Sequence, residues 1–198
     1  MSPKKKIALV FIFSGLISAI ALNLVLAVLA PSALIAGLAE RPFFSSQSNK
    51  NDMTKTQINW RNPNQKISEL FIVGEVTKGD ARRIPQSGGD IERNILQLAL
   101  ELDKIRFEWG SPILVNSWYR PPAVNRAVGG SPNSQHLYGR AADIRPVDPG
   151  RLVKFQAWLD QHWYGALGYG ASRGFVHLDM RNSKGWRTGG QKGPRWNY

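Results

Sequence analysis

The 198-residue sequence contains no cysteine. This absence excludes disulfide bonds, catalysis by a thiol and zinc sites built on thiolates. Histidine is also scarce, since the chain holds only three: His136, His162 and His177. Any transition-metal site must therefore combine some of these imidazoles with carboxylates.

Acidic residues are absent before Glu40. In the whole chain 26 Lys and Arg residues outnumber 14 Asp and Glu residues, which gives a net charge of +12 at pH 7. Three of these charges come from residues 4–6, so the chain from Glu40 onward still carries +9. A basic balance favours anionic partners such as nucleic acid, acidic lipid or an acidic polymer. Because the sequence has no recognised nucleic-acid motif and no other Lys/Arg-rich block, we do not expect nucleic-acid binding.

The one long apolar run spans residues 7–30, which are 24 residues without a charge. As a helix it would be roughly 36 Å long, enough to cross a hydrocarbon core of ~30 Å. We therefore interpret residues 1–39 as a membrane anchor, or alternatively as a cleaved signal peptide with a small-residue site at 36–39. Because lysines precede the run, both interpretations place residues 40–198 outside the cytoplasm, either membrane-bound or secreted.

Downstream of this run, residues 40–66 are polar and predict a linker, and residues 67–198 predict one domain. A helix is predicted to begin with Asp90 as its N-cap and to end at Gly110. A second helix is predicted to begin at Asp148 and Pro149. Short apolar runs predict strands at 112–115, 141–144 and 175–180. Helices and strands alternate without a regular β-α-β repeat, which indicates an α+β fold.

The side chains that could bind a metal or take part in catalysis lie in two stretches: residues 134–143 (SQHLYGRAAD) and residues 175–181 (FVHLDMR). A catalytic zinc ion takes three protein ligands and leaves a position open for water, so two histidines and one aspartate would suffice. Gly139 permits a tight turn between His136 and the strand that carries Asp143. A histidine among apolar residues is, however, commonly a hydrogen-bonded core residue, so spacing alone leaves the metal site open.

The pattern S-x-H-x-x-G-x-A-x-D followed by a strand with H-x-D resembles the zinc D-alanyl-D-alanine carboxypeptidase family of peptidoglycan peptidases. Residues 117–122 (SWYRPP) with Asn125 also resemble a segment of that family, although Pro121 replaces its usual Ser or Asp. The resemblance covers roughly residues 88–181 and implies a small antiparallel sheet with flanking helices, as in the Hedgehog signalling domain. The residues that match the two metal motifs are Ser134, His136, Gly139, Ala141, Asp143 and His177.

The resemblance implies that His136, Asp143 and His177 bind Zn²⁺. It also implies that Arg120 binds substrate and takes part in catalysis, because a guanidinium can hold a carboxylate or a carbonyl oxygen through paired hydrogen bonds. Ser134 and Tyr119 are further candidates for substrate binding, with turn capping and core packing as their respective alternatives.

The general base departs from the family pattern. Several members carry an acid three positions before the last histidine ligand, where this sequence has Gly174. Asp179 is the nearest acid and shares a strand face with His177, so it is a candidate for the base or for a partner that orients a ligand. His162 is expected at the end of a helix, in a capping or surface position.

The expected function is zinc-dependent hydrolysis of peptide bonds in the stem or cross-link peptides of peptidoglycan. Two alternatives stay open: a non-catalytic cell-wall module that retains zinc, and a hydrolase with another substrate. The sequence leaves open whether the bond is D,D or L,D, whether the enzyme is a carboxypeptidase or an endopeptidase, and which oligomeric state the protein adopts.

Overall fold

The computed structural model describes residues 57–198, and the following account is confined to them. The predicted anchor or signal peptide, and the first part of the predicted linker, lie outside the described residues. Between residues 57 and 198, no helix combines the length and the apolar character needed to cross a membrane.

The centre of the domain is a five-stranded sheet with strand order β1-β2-β4-β3-β5. Its strands are β1 (Ile113–Ser117), β2 (Ala141–Pro146), β3 (Ala166–Tyr169), β4 (Val176–Asp179) and β5 (Arg195–Asn197). The first three pairs in this order are antiparallel, whereas β3 and β5 are parallel. The α+β class is confirmed, but the sheet is mixed and not antiparallel throughout. After β4 the chain crosses to the outer edge of β3, where β5 runs in the same direction as β3.

Four helices flank the sheet: α1 (Val73–Thr77), α2 (Asp90–Trp109), α3 (Pro122–Ala127) and α4 (Leu152–His162). One face of α2 carries apolar residues at helical spacing that are fully buried and supply one wall of the core: Ile95, Leu98, Ala99, Leu102 and Ile105. It ends at Gly110, whose φ of 65° is the left-handed conformation that glycine adopts without strain. Asp90 is the first helical residue and not the N-cap, which is Gly89, and the Asp90 carboxylate pairs instead with Arg93.

The capping role predicted for Asp148 is confirmed. The Asp148 carboxylate accepts a hydrogen bond of 2.9 Å from the Gly150 N–H and caps a 3₁₀ turn over Pro149–Arg151, which leads into α4. At the other end of α4, the ring of His162 lies between the rings of Trp158 and Trp186, at centroid distances of 5.4 Å and 5.3 Å. His162 is thus a packing residue at the end of a helix.

The boundary of the domain lies before the predicted one. Trp60, which falls in the predicted linker, is only 5% exposed and belongs to the core. Its indole N–H donates a hydrogen bond of 2.6 Å to the carboxylate of Glu92 on α2. Residues 57–66 are therefore part of the domain, and the predicted linker is corrected accordingly. The apolar run at residues 70–73 is a docking element in which Phe71 is fully buried against Trp118.

The register of the sheet brings residues of four strands next to one another. Asp143 on β2 lies opposite His177 on β4, and Gly168 on β3 lies opposite His177 from the other side. Trp196 on β5 in turn lies opposite Gly168. Residues directly opposite one another point to the same face of a sheet, so these four positions form one row across four strands.

Candidate metal centre

The first ligand candidate, His136, is presented by a 3₁₀ turn over Gln135–Tyr138. The Ser134 hydroxyl caps this turn by accepting the His136 N–H at 3.4 Å. Gly139 closes the turn with a φ of 72°, and a Cβ at this position would lie 2.9 Å from the carbonyl oxygen of Ile91. A side chain is excluded there by both conformation and space, so the turn depends on glycine.

The three predicted ligands converge on one point. His136 Nε2 lies 3.2 Å from Asp143 Oδ1 and 3.2 Å from His177 Nδ1, and His177 Nδ1 lies 2.8 Å from Asp143 Oδ1. Tetrahedral zinc with bonds of about 2.0–2.1 Å separates its ligand atoms by about 3.3 Å. The donor set and its spacing therefore fit the expected ion.

The remaining ring nitrogens of the two histidines are held by hydrogen bonds. His136 Nδ1 lies 2.6 Å from the carbonyl oxygen of Trp118, and His177 Nε2 lies 3.3 Å from Asp179 Oδ2. Both acceptors take the proton of the imidazole nitrogen that faces them, so this network leaves His136 Nε2 and His177 Nδ1 as the atoms that can bind a metal when unprotonated. These are the two nitrogens that face Asp143. The network thus selects the tautomers that a metal requires.

Burial and charge set the protonation of the three side chains in the metal-free protein. Burial lowers the pKa of His136, which favours the neutral imidazole. Burial also lowers the pKa of His177, but hydrogen bonds to Asp143 and Asp179 outweigh it and raise the pKa overall. For Asp143, burial raises the pKa, but the adjacent histidines hold it well below its usual range. Asp143 is accordingly an ionised carboxylate, the form that binds a cation.

Two of the ligand candidates, Asp143 and His177, line a cavity of about 640 Å³, and His136 is fully buried next to them. Arg120, Arg173 and Arg181 line this cavity, and among the described residues Asp143 is the only acidic side chain that does so. The Arg120 guanidinium lies 3.8 Å from Asp143 Oδ2, and its Nε is buried with no hydrogen-bond partner in residues 57–198. Arg120 therefore stands at the cavity wall beside the metal ligand candidates.

The predicted substrate-binding residues separate into two groups. Arg120 and Ser134 line the cavity, and their role in substrate binding stays a prediction. Tyr119 does not line it; the side chain is buried in the hydrophobic core. Its predicted role in substrate binding is corrected to core packing, the alternative that the sequence left open.

Asp179 is not placed to act as a general base. Its side chain is 0% exposed and does not line the cavity. Beyond its contact with His177, it accepts hydrogen bonds from Arg181 Nε at 2.8 Å and Nη2 at 2.7 Å. Burial raises the pKa of Asp179, but these partners lower it to about 2. The carboxylate therefore orients His177, which is the second of the two roles considered for it.

The cavity-lining residues that the sequence did not predict include two aromatic residues of the C-terminal segment. Trp196 and Tyr198 line the cavity next to His177, with ring centroids 5.3 Å and 6.2 Å from the imidazole. They lie outside the segment that carries the family resemblance. The sequence feature that could have indicated them is their spacing: Trp196 and Tyr198 are two residues apart, as is typical of two side chains on one face of a strand.

A comparison with known protein families agrees with the geometry. The family model described as Peptidase M15 matches residues 69–179, which is more than half of the chain and contains all three ligand candidates. The chain belongs to the peptidase M15 family. The family that the sequence motifs predicted is thereby confirmed.

One curated relative supports this membership. The zinc D-Ala-D-Ala carboxypeptidase of Streptomyces albus G is 34% identical to the chain over 90 residues. The aligned part covers 42% of this chain and 35% of the relative, so the chain matches about a third of that protein's length. Both strands with candidate ligands, β2 and β4, fall within the peptidase M15 match, whereas β5 follows it.

Proposed function

We propose that this protein is a zinc peptidase that hydrolyses peptide bonds in the stem or cross-link peptides of peptidoglycan. The observation that carries the proposal is the convergence of His136 Nε2, Asp143 Oδ1 and His177 Nδ1 within 4.8 Å of one another at the base of an open cavity. Three protein ligands and an open position are the composition of a catalytic zinc site, whereas structural sites are closed by four ligands.

Zinc bound at such a site lowers the pKa of its water to about 7 and polarises a carbonyl oxygen. The chain's own residues supply the rest. Trp118 and Asp179 hold the two imidazoles in orientation through their outer nitrogens. Arg120, which lines the cavity beside Asp143, binds a carboxylate or carbonyl oxygen of the peptide. Ser134 faces the same cavity, although its hydroxyl already caps the turn of His136.

The charge of the cavity supports an anionic peptide as the substrate. Three arginines line it against one acid, and that acid is a metal ligand candidate. Stem peptides of peptidoglycan carry free carboxylates, and the curated relative is named for a D-Ala-D-Ala substrate. We assign the same class of substrate to this chain.

The test is digestion of purified muropeptides by the full chain, with products separated by liquid chromatography and identified by mass. Loss of one terminal alanine would identify a carboxypeptidase, and conversion of cross-linked dimers to monomers an endopeptidase. Stem peptides of defined stereochemistry separate D,D from L,D cleavage. A chelator should abolish product formation and added zinc should restore it. Cleavage that persists in metal-free protein would exclude the proposal.

A second function is favoured by one observation. Among the described residues, no carboxylate other than Asp143 lines the cavity, so the usual acidic base is missing. A zinc-containing module that binds the cell wall without cleaving it would account for this. Such a module would sediment with purified cell walls and release no soluble peptide from them.

We further propose that residues 7–30 anchor the protein in the cytoplasmic membrane with the peptidase domain on the outer side. The 24-residue uncharged run and the preceding lysines support this arrangement. The arrangement would place the cavity where peptidoglycan is found.

A further inference from the structure

The row across the sheet brings β5 next to the metal ligand candidates. His177 on β4 lies opposite Gly168 on β3, and Gly168 lies opposite Trp196 on β5. A Cβ on Gly168 would lie 2.5 Å from a ring carbon of Tyr198 and 2.8 Å from a ring carbon of Trp196. Only glycine at this position lets the two aromatic rings approach the imidazole.

Tyr198 is held in a defined place by its neighbours. Its ring meets that of Phe175 edge to face, with centroids 5.1 Å apart, and the Arg173 guanidinium lies 5.9 Å from the ring centre. The preceding strand is fixed by Arg195, whose guanidinium bonds Asp160 at 2.8 Å and three backbone carbonyl oxygens. The side chain of Tyr198 is nevertheless 41% exposed and lines the cavity, so a bound molecule can reach it.

The hydroxyl of Tyr198 is a donor that keeps its proton. A tyrosine hydroxyl has an ordinary pKa of about 10, so the phenol is neutral near pH 7. The Tyr198 ring lines the same cavity as Arg120, Asp143 and His177. Arg120 stands beside Asp143, whereas Tyr198 stands beside His177, so the site carries two different donors.

We propose that Tyr198 is a catalytic residue whose hydroxyl donates a hydrogen bond to the scissile carbonyl oxygen as that oxygen becomes negatively charged. The proposal rests on the peptidase function proposed above and deepens it. A preorganised donor in a partly enclosed site stabilises the tetrahedral state more than the planar substrate. The hydroxyl forms no covalent bond and retains its proton throughout. Arg120 is then available for a carboxylate of the peptide.

The test compares Tyr198→Phe with the wild-type full chain, both loaded with zinc. The substitution keeps the ring and its packing and removes only the hydroxyl. Tyr164→Phe is the matched control, because Tyr164 does not line the cavity. The measurements are kcat and KM for a muropeptide, zinc content, and the Kd of two probes: a phosphinate peptide that mimics the tetrahedral state, and the product peptide.

We expect kcat of Tyr198→Phe to fall about 100-fold, as for loss of one oxyanion donor, with KM and zinc content unchanged. The Kd of the phosphinate should rise by a similar factor, and that of the product should not change. Wild-type kcat and phosphinate affinity in Tyr198→Phe, together with loss of activity in Tyr198→Ala, would show that only the ring matters and would overturn the proposal.

The failure of this inference is distinguishable from the failure of the proposed function. Wild-type protein that binds the phosphinate but cleaves no peptide would overturn the peptidase function, and with it a catalytic role for Tyr198. Active wild-type protein with an unaffected Tyr198→Phe variant would overturn the role of Tyr198 alone. Wild-type protein that binds neither probe would overturn both.

Discussion

The Nε2 atom of His177 lies 3.3 Å from the Oδ2 atom of Asp179, and both side chains are buried. The two residues share one face of β4, so the contact follows from their spacing along the strand. It directs His177 Nδ1 toward Asp143 and His136, and Arg181 neutralises the carboxylate from its other side. Asp179 is thus placed to influence a metal bound by His177 through this contact.

Asp179→Asn should lower the affinity for zinc by about 10- to 100-fold, because an amide orients and polarises the imidazole less well than a carboxylate. Activity should return at excess zinc. The measurements are a zinc titration against a competing chelator and turnover at several zinc concentrations. Asp148→Asn, at a helix cap outside the site, is the control. Turnover that stays low in Asp179→Asn at saturating zinc would instead support a general base.

The assignment of the metal ligands predicts the metal content of three histidine variants. His136→Ala and His177→Ala should each lose most of the single zinc ion, since a site with two ligands binds far more weakly than one with three. His162→Ala should retain it, because His162 packs between Trp158 and Trp186. Elemental analysis of the folded fraction decides the matter. Full zinc occupancy in His136→Ala would exclude the proposed centre.

Gly168→Ala should displace the aromatic residues of β5 without removing a ligand. The added Cβ would lie 2.5 Å from the Tyr198 ring and 2.8 Å from the Trp196 ring, distances that force the strand to move. We expect a loss of turnover of at least about tenfold, because a catalytic donor loses its position, with zinc content unchanged. Gly150→Ala is the control, since its Cβ meets only a carboxylate oxygen at 3.2 Å. Unaltered turnover in Gly168→Ala would show that β5 has no part in the site.

Trp60 tests whether residues 57–66 belong to the domain. Trp60→Ala should destabilise the fold by about 3 kcal/mol or more, because it empties a core position and leaves the Glu92 carboxylate without the indole donor. Trp60→Phe should cost less, since much of the packing remains. Urea unfolding monitored by circular dichroism measures both, with Phe107→Ala, at a side chain 81% exposed, as the control. A Trp60→Ala variant as stable as the wild type would show that residues 57–66 are a linker and not part of the domain.

The proposed anchor predicts the sidedness of the protein in the membrane. Protease added to spheroplasts of cells that express the full chain should degrade residues 57–198, because the positive-inside bias keeps the lysines before residue 7 in the cytoplasm. Removal of residues 1–39 should leave the protein in the cytoplasm and protected. An intact domain after treatment of the full chain would contradict the proposed topology.

Much of the fold was predictable from local features. The apolar period of α2, the capping chemistry of Asp148 and the apolar runs of β1, β2 and β4 are properties of short segments, so their sequences predict them directly. The start of α2 was misplaced by one residue, because Asp90 pairs with Arg93 and leaves the capping position to Gly89. The parallel β5 was missed, since three residues carry too little pattern to indicate a strand or its partner.

The sequence by itself indicated the family through the resemblance of its motifs, and that resemblance implied the three metal ligand candidates, whereas the absence of cysteine and the scarcity of histidine only limited the alternatives. It also limited Asp179 to two roles. Tertiary structure favours the orienting role, because it buries Asp179 behind His177, and it placed Tyr119 in the core and Tyr198 in the cavity. These outcomes depend on strand register and on the space that Gly168 leaves. Both arise from pairing between segments far apart in the chain, which no local pattern encodes.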